Sequence, residues 1–228
     1  MAKVKEQEKE EVIIDVESAY DKTEQFFEDN QKIIIGVVAA IILIIGGYVA
    51  WKKLIIAPKE TEAASQMFRA EQYFQQDSFR IALDGKGQYP GFLQVIDEYG
   101  MTDAANLSYY YAGVSYLHLG EYENAIEYLG KFDSDDEVLS VIAEGATGDA
   151  YMELGETDKA VSAYLEAADE NTNKFTSPIY LMKAAQALEG KGEAEKAVKL
   201  YERLEKEFPT TNEGRSAEKY KARAKASL

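Results

Sequence analysis

Hydrophobic positions along this chain follow three patterns in succession. Residues 1–11 (MAKVKEQEKEE) are charged and lack apolar periodicity, the composition of a disordered start. Val12, Val16, Ala19, Thr23 and Phe26 then recur at helical spacing, with Ile13, Tyr20 and Phe27 alongside and Asp15, Glu17, Asp21, Glu24 and Glu28 opposite. That spacing predicts an acidic amphipathic helix. Its apolar face (Val12, Val16, Tyr20, Phe26, Phe27) is either an interface for another protein or a solvated extension of the next segment. From Ile33 to Trp51 the pattern disappears into one uncharged apolar run, bracketed by Lys32 and by Lys52 and Lys53. After Pro58 amphipathic helical segments return at regular intervals.

The run of roughly 19 residues at ~1.5 Å rise matches the hydrocarbon core of a bilayer. A cleaved signal peptide fits poorly, because no small-residue cleavage site follows YVAWKK. A soluble core helix rarely stays apolar on every face for five turns. The expectation is an uncleaved anchor, with Tyr48 and Trp51 at the headgroup layer. Gly36 with Ala40, and Gly46 with Ala50, form small-xxx-small pairs that admit a neighbouring helix. The flanking charges do not fix orientation. Lys22 and Lys32 precede the span, whereas Lys52, Lys53, Lys59 and Arg69 follow it, and the rule is weak for long soluble domains.

Three later segments superimpose: YYYAGVSYLHLGEYENAIEYL (109–129), EGATGDAYMELGETDKAVSAYLEAA (144–168) and LMKAAQALEGKGEAEKAVKLYERLEKEFP (181–209). Aligning Gly120, Gly155 and Gly192 also aligns Ala125, Ala160 and Ala197, at spacings of 35 and 37 residues. This is the tetratricopeptide repeat with slight insertions. Gly113 and Gly148, with Ala185 third, allow close helix approach. Tyr116, Tyr151 and Leu188 fill the space between helices. The second set of glycines turns the chain, and Pro209 stops the last repeat. A degenerate pair precedes the array: a helix over 60–83, packing through Ala64, Met67, Phe68, Tyr73 and Phe74, then Phe92, Leu93, Ile96 and Tyr99. A basic helix near 212–226 (Arg215, Lys219, Lys221, Arg223, Lys225) ends it, as a solvated cap or docked on an acidic surface. The predicted fold is therefore all-α: a single N-terminal transmembrane helix followed by a right-handed tetratricopeptide-repeat α-solenoid. Residues 1–32 form the tail, 33–57 the anchor, and 58–228 the repeat domain, with about four helix pairs and a final helix.

Solenoids of this kind bind along the face lined by the first helix of each pair. The repeat frame places Leu107, Tyr110, Val114 and Leu117 there, then Ile142, Gly145, Asp149 and Met152, then Ile179, Met182, Gln186 and Glu189. Lysine and arginine are absent from these positions, which excludes a basic clamp for a C-terminal carboxylate. The expected groove is apolar with adaptable methionines, either open to a partner segment or filled by the 60–83 or C-terminal helix.

Composition narrows the functions. The net charge of −16 and pI near 4.6 argue against nucleic acid. With no cysteine and one histidine, neither a disulfide framework nor the usual zinc set can form. His118, between Leu117 and Leu119, reads as a packed or surface residue. Asp133, Asp135, Asp136 and Glu137 lack the spacing of a calcium loop. Asn106-Leu107-Ser108 matches a glycosylation sequon, a short pattern common by chance. No cofactor motif or catalytic constellation is present, and the chain reads as a binding protein rather than an enzyme.

The order of parts resembles a known family. VESAYDKTEQFFEDNQKIIIGVV (16–38) carries an aromatic pair, an acid-Asn step and a basic residue at the membrane edge, runs into an anchor, and leads to a short repeat array. This looks like the YfgM-type ancillary subunit family of the bacterial SecYEG translocon. The resemblance implies an inner-membrane protein with a cytoplasmic N-terminus and periplasmic repeats. It implies partners among translocon subunits, a periplasmic prolyl-isomerase-like chaperone and exported client polypeptides. An assembly factor for another envelope complex, or a scaffold facing the cytoplasm, shares the same parts.

Overall fold

The computed structural model describes residues 2–170 and 172–228, without the side chains of 2–23, 27 and 28. It comprises two compact units, divided between Ala57 and Pro58.

In the first unit, helix α1 (Ala2–Trp51) is followed by a wider, π-type turn over Lys52–Ile56. Its most apolar window has a mean hydropathy of 2.8 and none of it is buried. The helix is long and apolar enough to cross a membrane, and none of the described side chains of this unit is buried. Gly36, Ala40, Gly46 and Ala50 are all exposed, and a Cβ added at Gly36 or Gly46 would meet nothing within 4 Å. Of the tail face, Phe26 is exposed. The side chains of Val12, Val16, Tyr20 and Phe27 lie outside the described residues.

The second unit contains α2 (Ala57–Phe74), α3 (Phe79–Asp84), α4 (Phe92–Tyr99), α5 (Asp103–His118), α6 (Tyr122–Leu129), α7 (Glu137–Glu153), α8 (Thr157–Asp169), α9 (Ser177–Gly190), α10 (Ala194–Glu207) and α11 (Asn212–Lys225). Apart from one isolated Lys86–Tyr89 bridge, the described residues hold no β-structure. From α4 onward each helix packs on its successor in the chain, and α5 reaches α7. The repeat signals act as their chemistry requires. Gly120, Gly155 and Gly192 have φ of 76°, 73° and 87°, backbone that a Cβ disfavours. Ala125, Ala160 and Ala197 are fully buried. A Cβ on Gly113 would come within 2.5 Å of Leu129, and one on Gly148 within 2.6 Å of Tyr164.

The continuous helix expected over 60–83 is broken after Phe74, and Asp77 takes a positive φ of 55°. Five helical steps would turn Phe74 and Phe79 away from each other. The break brings their rings to 5.5 Å, with Phe74 also 5.0 Å from Tyr111 and 6.3 Å from Phe92. The packing face of α2 is displaced from the expected one: Ala63, Met67 and Ala70 are buried, while Ala64 and Phe68 are exposed. One core collects around Phe92, Leu83 and Tyr116, another around Leu181, Tyr201 and Leu204. A small cluster of Leu129, Ala143 and Ala146 lies between α6 and α7.

The basic C-terminal helix closes the array on the unit's own acids. Arg223 donates to Glu189 at 2.6 and 2.9 Å, Lys221 pairs with Glu205, and Lys225 pairs with Glu202 at 3.4 Å. Ala217 and Ala224 are buried beneath it.

Candidate functional site

The residues expected to line a groove have different environments. On α5, Leu107 packs against the Phe92 core, and Tyr110, Val114 and Leu117 pack on the Leu129–Ala143–Ala146 cluster, all four only partly covered. Ile142 is half-buried. Gly145 is buried under Tyr180, whose ring carbons and hydroxyl lie 2.0–2.5 Å from where a Cβ would stand. Met182 is buried within the α8–α11 core at 8% exposure. Ile179 is exposed. Glu189 accepts from Arg223 and from the Tyr201 hydroxyl at 2.9 Å, so it belongs to the C-terminal closure.

Met152 and Gln186 meet in an open cleft of about 430 Å³, where α7, α8 and α9 come together. Thr157, Tyr164, Lys183, Ala187, Gly190 and Lys191 complete its lining. At its base, both Asp149 carboxylate oxygens accept from the Lys183 ammonium at 2.7 Å. The Tyr164 hydroxyl donates to one of them at 2.6 Å. The same ammonium sits 5.5 Å from the Tyr164 ring centre and 5.6 Å from that of Tyr180, within cation–π range. The two rings stack at 6.4 Å.

This arrangement fixes the protonation of the tyrosines. Burial, then the bond to Asp149, pushes the Tyr164 phenol far above its ordinary range. Burial, then the Asp149 charge, pushes Tyr180 up to about 12. Both are neutral at physiological pH. On the cleft rim, Lys191 pairs with Asp158 and, at 2.7 Å, with Glu193. Lys191 and then Lys196 hold the Glu193 carboxyl down near 2.

The cleft wall is therefore mixed rather than apolar. Lys183, one residue beyond the expected face, turns into it because Met182 takes the core position. Asp149 was the legible signal. An acid on a face of apolar neighbours calls for a cation, and the sequence frame left it without one. Since Lys183 already serves Asp149 and Lys191 serves Asp158 and Glu193, the cleft presents a mixed wall whose cations are internally paired.

Other singled-out residues have structural roles. His118 stacks flat on Phe79 at 4.4 Å. Asp136 caps α7 by accepting from the Val138 and Leu139 amides at 2.9 and 3.0 Å. Asn106 exchanges hydrogen bonds with the Asp133 backbone. Among the described residues no acidic, cysteine or histidine group has the arrangement of a metal site.

Residues 107–135 and 146–211 match tetratricopeptide-repeat family models. The second unit is thus a tetratricopeptide-repeat α-solenoid, a protein–protein interaction module. A comparison with curated proteins finds no match for this chain.

Proposed function

We propose that this protein is a non-enzymatic, membrane-anchored adaptor at the protein-export machinery. The α7–α9 cleft holds an apolar segment of a partner or client chain. The observation that carries this reading is the pairing of a membrane-length apolar helix with an open repeat cleft whose charges are already neutralised. A neutralised wall favours an apolar segment over an acidic tail. The first helices of the pairs, through Leu107, Tyr110, Val114 and Leu117, then Ile142 and Ile179, extend the contact. An anchored domain meets its clients at raised effective concentration, so each contact can be weak.

The resemblance of residues 16–38 to the YfgM-type family supports SecYEG subunits as lateral partners of α1, through Gly36, Ala40, Gly46 and Ala50, and of the tail through Val12, Val16, Tyr20, Phe26 and Phe27. It supports a periplasmic repeat domain that passes exported chains to a prolyl-isomerase-like chaperone. Lys52 and Lys53, which follow the span, favour a second reading, a scaffold facing the cytoplasm. One experiment separates them: a photo-crosslinking residue at Met152 in intact cells, with protease added to spheroplasts in parallel. Accessible repeats that crosslink to translocon subunits, exported chains or periplasmic chaperones are expected. Protected repeats would leave the cytoplasmic scaffold. Accessible repeats that capture a single fixed envelope complex would make the protein an assembly factor.

A further inference from the structure

Four exposed apolar side chains of the repeat unit, Met101, Val138, Phe175 and Ile179, share one structural position. Phe175 is the most open, at 83% exposure. Met101 and Phe175 precede the first helix of a pair (α5 and α9), and Val138 and Ile179 lie in the first turn of one (α7 and α9). Contacts gather these helix starts onto one edge. Asn106, in the first turn of α5, bonds the Asp133 backbone ahead of α7. α8 packs along both α7 and α9, and short connections at 154–156 and 170–176 reverse the chain twice, so α9 starts at the same edge as α7. The turns at Gly120, Gly155 and Gly192 follow the other ends of the same helices.

The start of the unit is fixed to this edge too. The Glu60 carboxylate accepts from the backbone N–H groups of Asp103 at 2.6 Å and Ala104 at 3.0 Å, closing the open end of α5. Glu60 follows soon after the apolar run. Even fully extended, residues 54–60 reach at most about 25 Å from Lys53. Where the run crosses a bilayer, that length keeps Glu60, and with it the start of α5, within the same distance of the end of the span.

We propose that this edge rests on the bilayer, with Phe175 and its apolar neighbours entering the boundary between headgroups and acyl chains. The inference rests on the membrane-spanning reading of α1. Lipid is the occupant because the short tether brings the start of α5 within reach of the bilayer that the run crosses. Large apolar side chains presented at that depth gain by burial in the acyl boundary. Lys174, next to Phe175, supplies a cation for lipid phosphate. Asp133, Asp135, Asp136 and Glu137 lie in the loop and helix start before Val138. They repel an anionic surface, so the contact is driven by apolar burial and suits zwitterionic lipid.

The absence of cysteine allows single fluorescent labels at Phe175→Cys, at Leu43→Cys within the apolar run, and at Glu123→Cys on the opposite edge. The full chain is placed in phosphatidylcholine nanodiscs, and quenching by aqueous acrylamide is compared with quenching by nitroxide-bearing lipid. The labels at 43 and 175 are expected to be quenched by the lipid nitroxide and to lose acrylamide quenching, and the label at 123 to do the reverse. A shielded label at 43 with an acrylamide-quenched label at 175 overturns the proposal while leaving the span intact. A label at 175 that neither quencher reaches is covered by protein, which also overturns it. An acrylamide-quenched label at 43 refutes the spanning reading, and the proposal falls with it.

Discussion

Gly145→Ala tests the central packing argument, because sequence and structure give that residue different jobs. The repeat frame puts Gly145 on the groove face, where a methyl group would point to open space. The structure puts its Cα against the Tyr180 ring, and a Cβ would stand 2.0 Å from Cε1 and 2.2 Å from Cζ. Ordinary contact begins near 3.4 Å, so the ring would have to retreat by more than an ångström. Tyr180 has little room, being 8% exposed and stacked on Tyr164. Overpacking of this kind costs about 1–3 kcal/mol, and alanine returns about 1 kcal/mol of helix propensity. With a clash this deep, the net expectation is a loss of about 2 kcal/mol, or ~4–8 °C in Tm for a domain of this size. Gly190→Ala is the matched control. Gly190 is also helical and lines the cleft, but an added Cβ meets nothing within 4 Å, so its Tm should hold or rise slightly. Thermal circular dichroism of the full chain in detergent reads both. Equal, unchanged Tm values for the two variants would refute the packing argument and return Gly145 to an open groove.

Further outcomes follow from the same contacts. Tyr116 and Tyr180 are pushed up to about 12, burial being the main cause in both. Between about pH 10 and 12 the unfolded chain therefore binds fewer protons than the folded one, and stability falls as pH rises. Phenolate absorbance should rise in two stages, the second coinciding with loss of helix; a single stage near pH 10 would argue against the burial. Glu189, held low first by the Arg223 guanidinium and then by the Tyr201 hydroxyl, stabilises the fold above the ordinary carboxylate range. That contribution should fade as pH drops below about 4, and Glu189→Gln should flatten the acid limb of the Tm–pH curve. A double-mutant cycle of Asp149→Asn with Lys183→Met should give a coupling of about 1 kcal/mol or less, as for partly exposed pairs. A coupling several times larger would mean the cleft base is drier than its exposure indicates. Glu60→Ala should cost about 1 kcal/mol through the lost cap on α5 and speed amide exchange at Asp103 and Ala104; unchanged exchange would show that water satisfies those groups.

The apolar run from Ile33 to Trp51 and the spacing of the repeat glycines and alanines were decisive in the sequence because each rests on a local rule. A bilayer-length helix needs only uninterrupted hydrophobicity, and a tight turn needs φ > 0 wherever it occurs. Gly113, Gly148 and the buried alanines are legible for a related reason, since close helix approach has few residue solutions. The cleft was less legible. Whether residue 182 or 183 faces outward depends on a small rotation of α9 against α7 and α8. That rotation is set by the Tyr180 ring seated on Gly145, a contact between repeats. The break at Phe74 was hidden for the same reason. No proline or glycine marks it, and the gain comes from rings at Phe79, Phe92 and Tyr111 that are distant along the chain.

The amino-acid sequence by itself thus determined the all-α class, the membrane-length helix and the repeat register. The tertiary structure decided that Lys183 neutralises Asp149 inside the cleft, that α11 closes on Glu189 and Glu205, and that Glu60 closes the start of α5. Periodicity records which face of a helix is apolar. Only packing between helices fixes how far that face is turned, and so which side chains it brings within reach of one another.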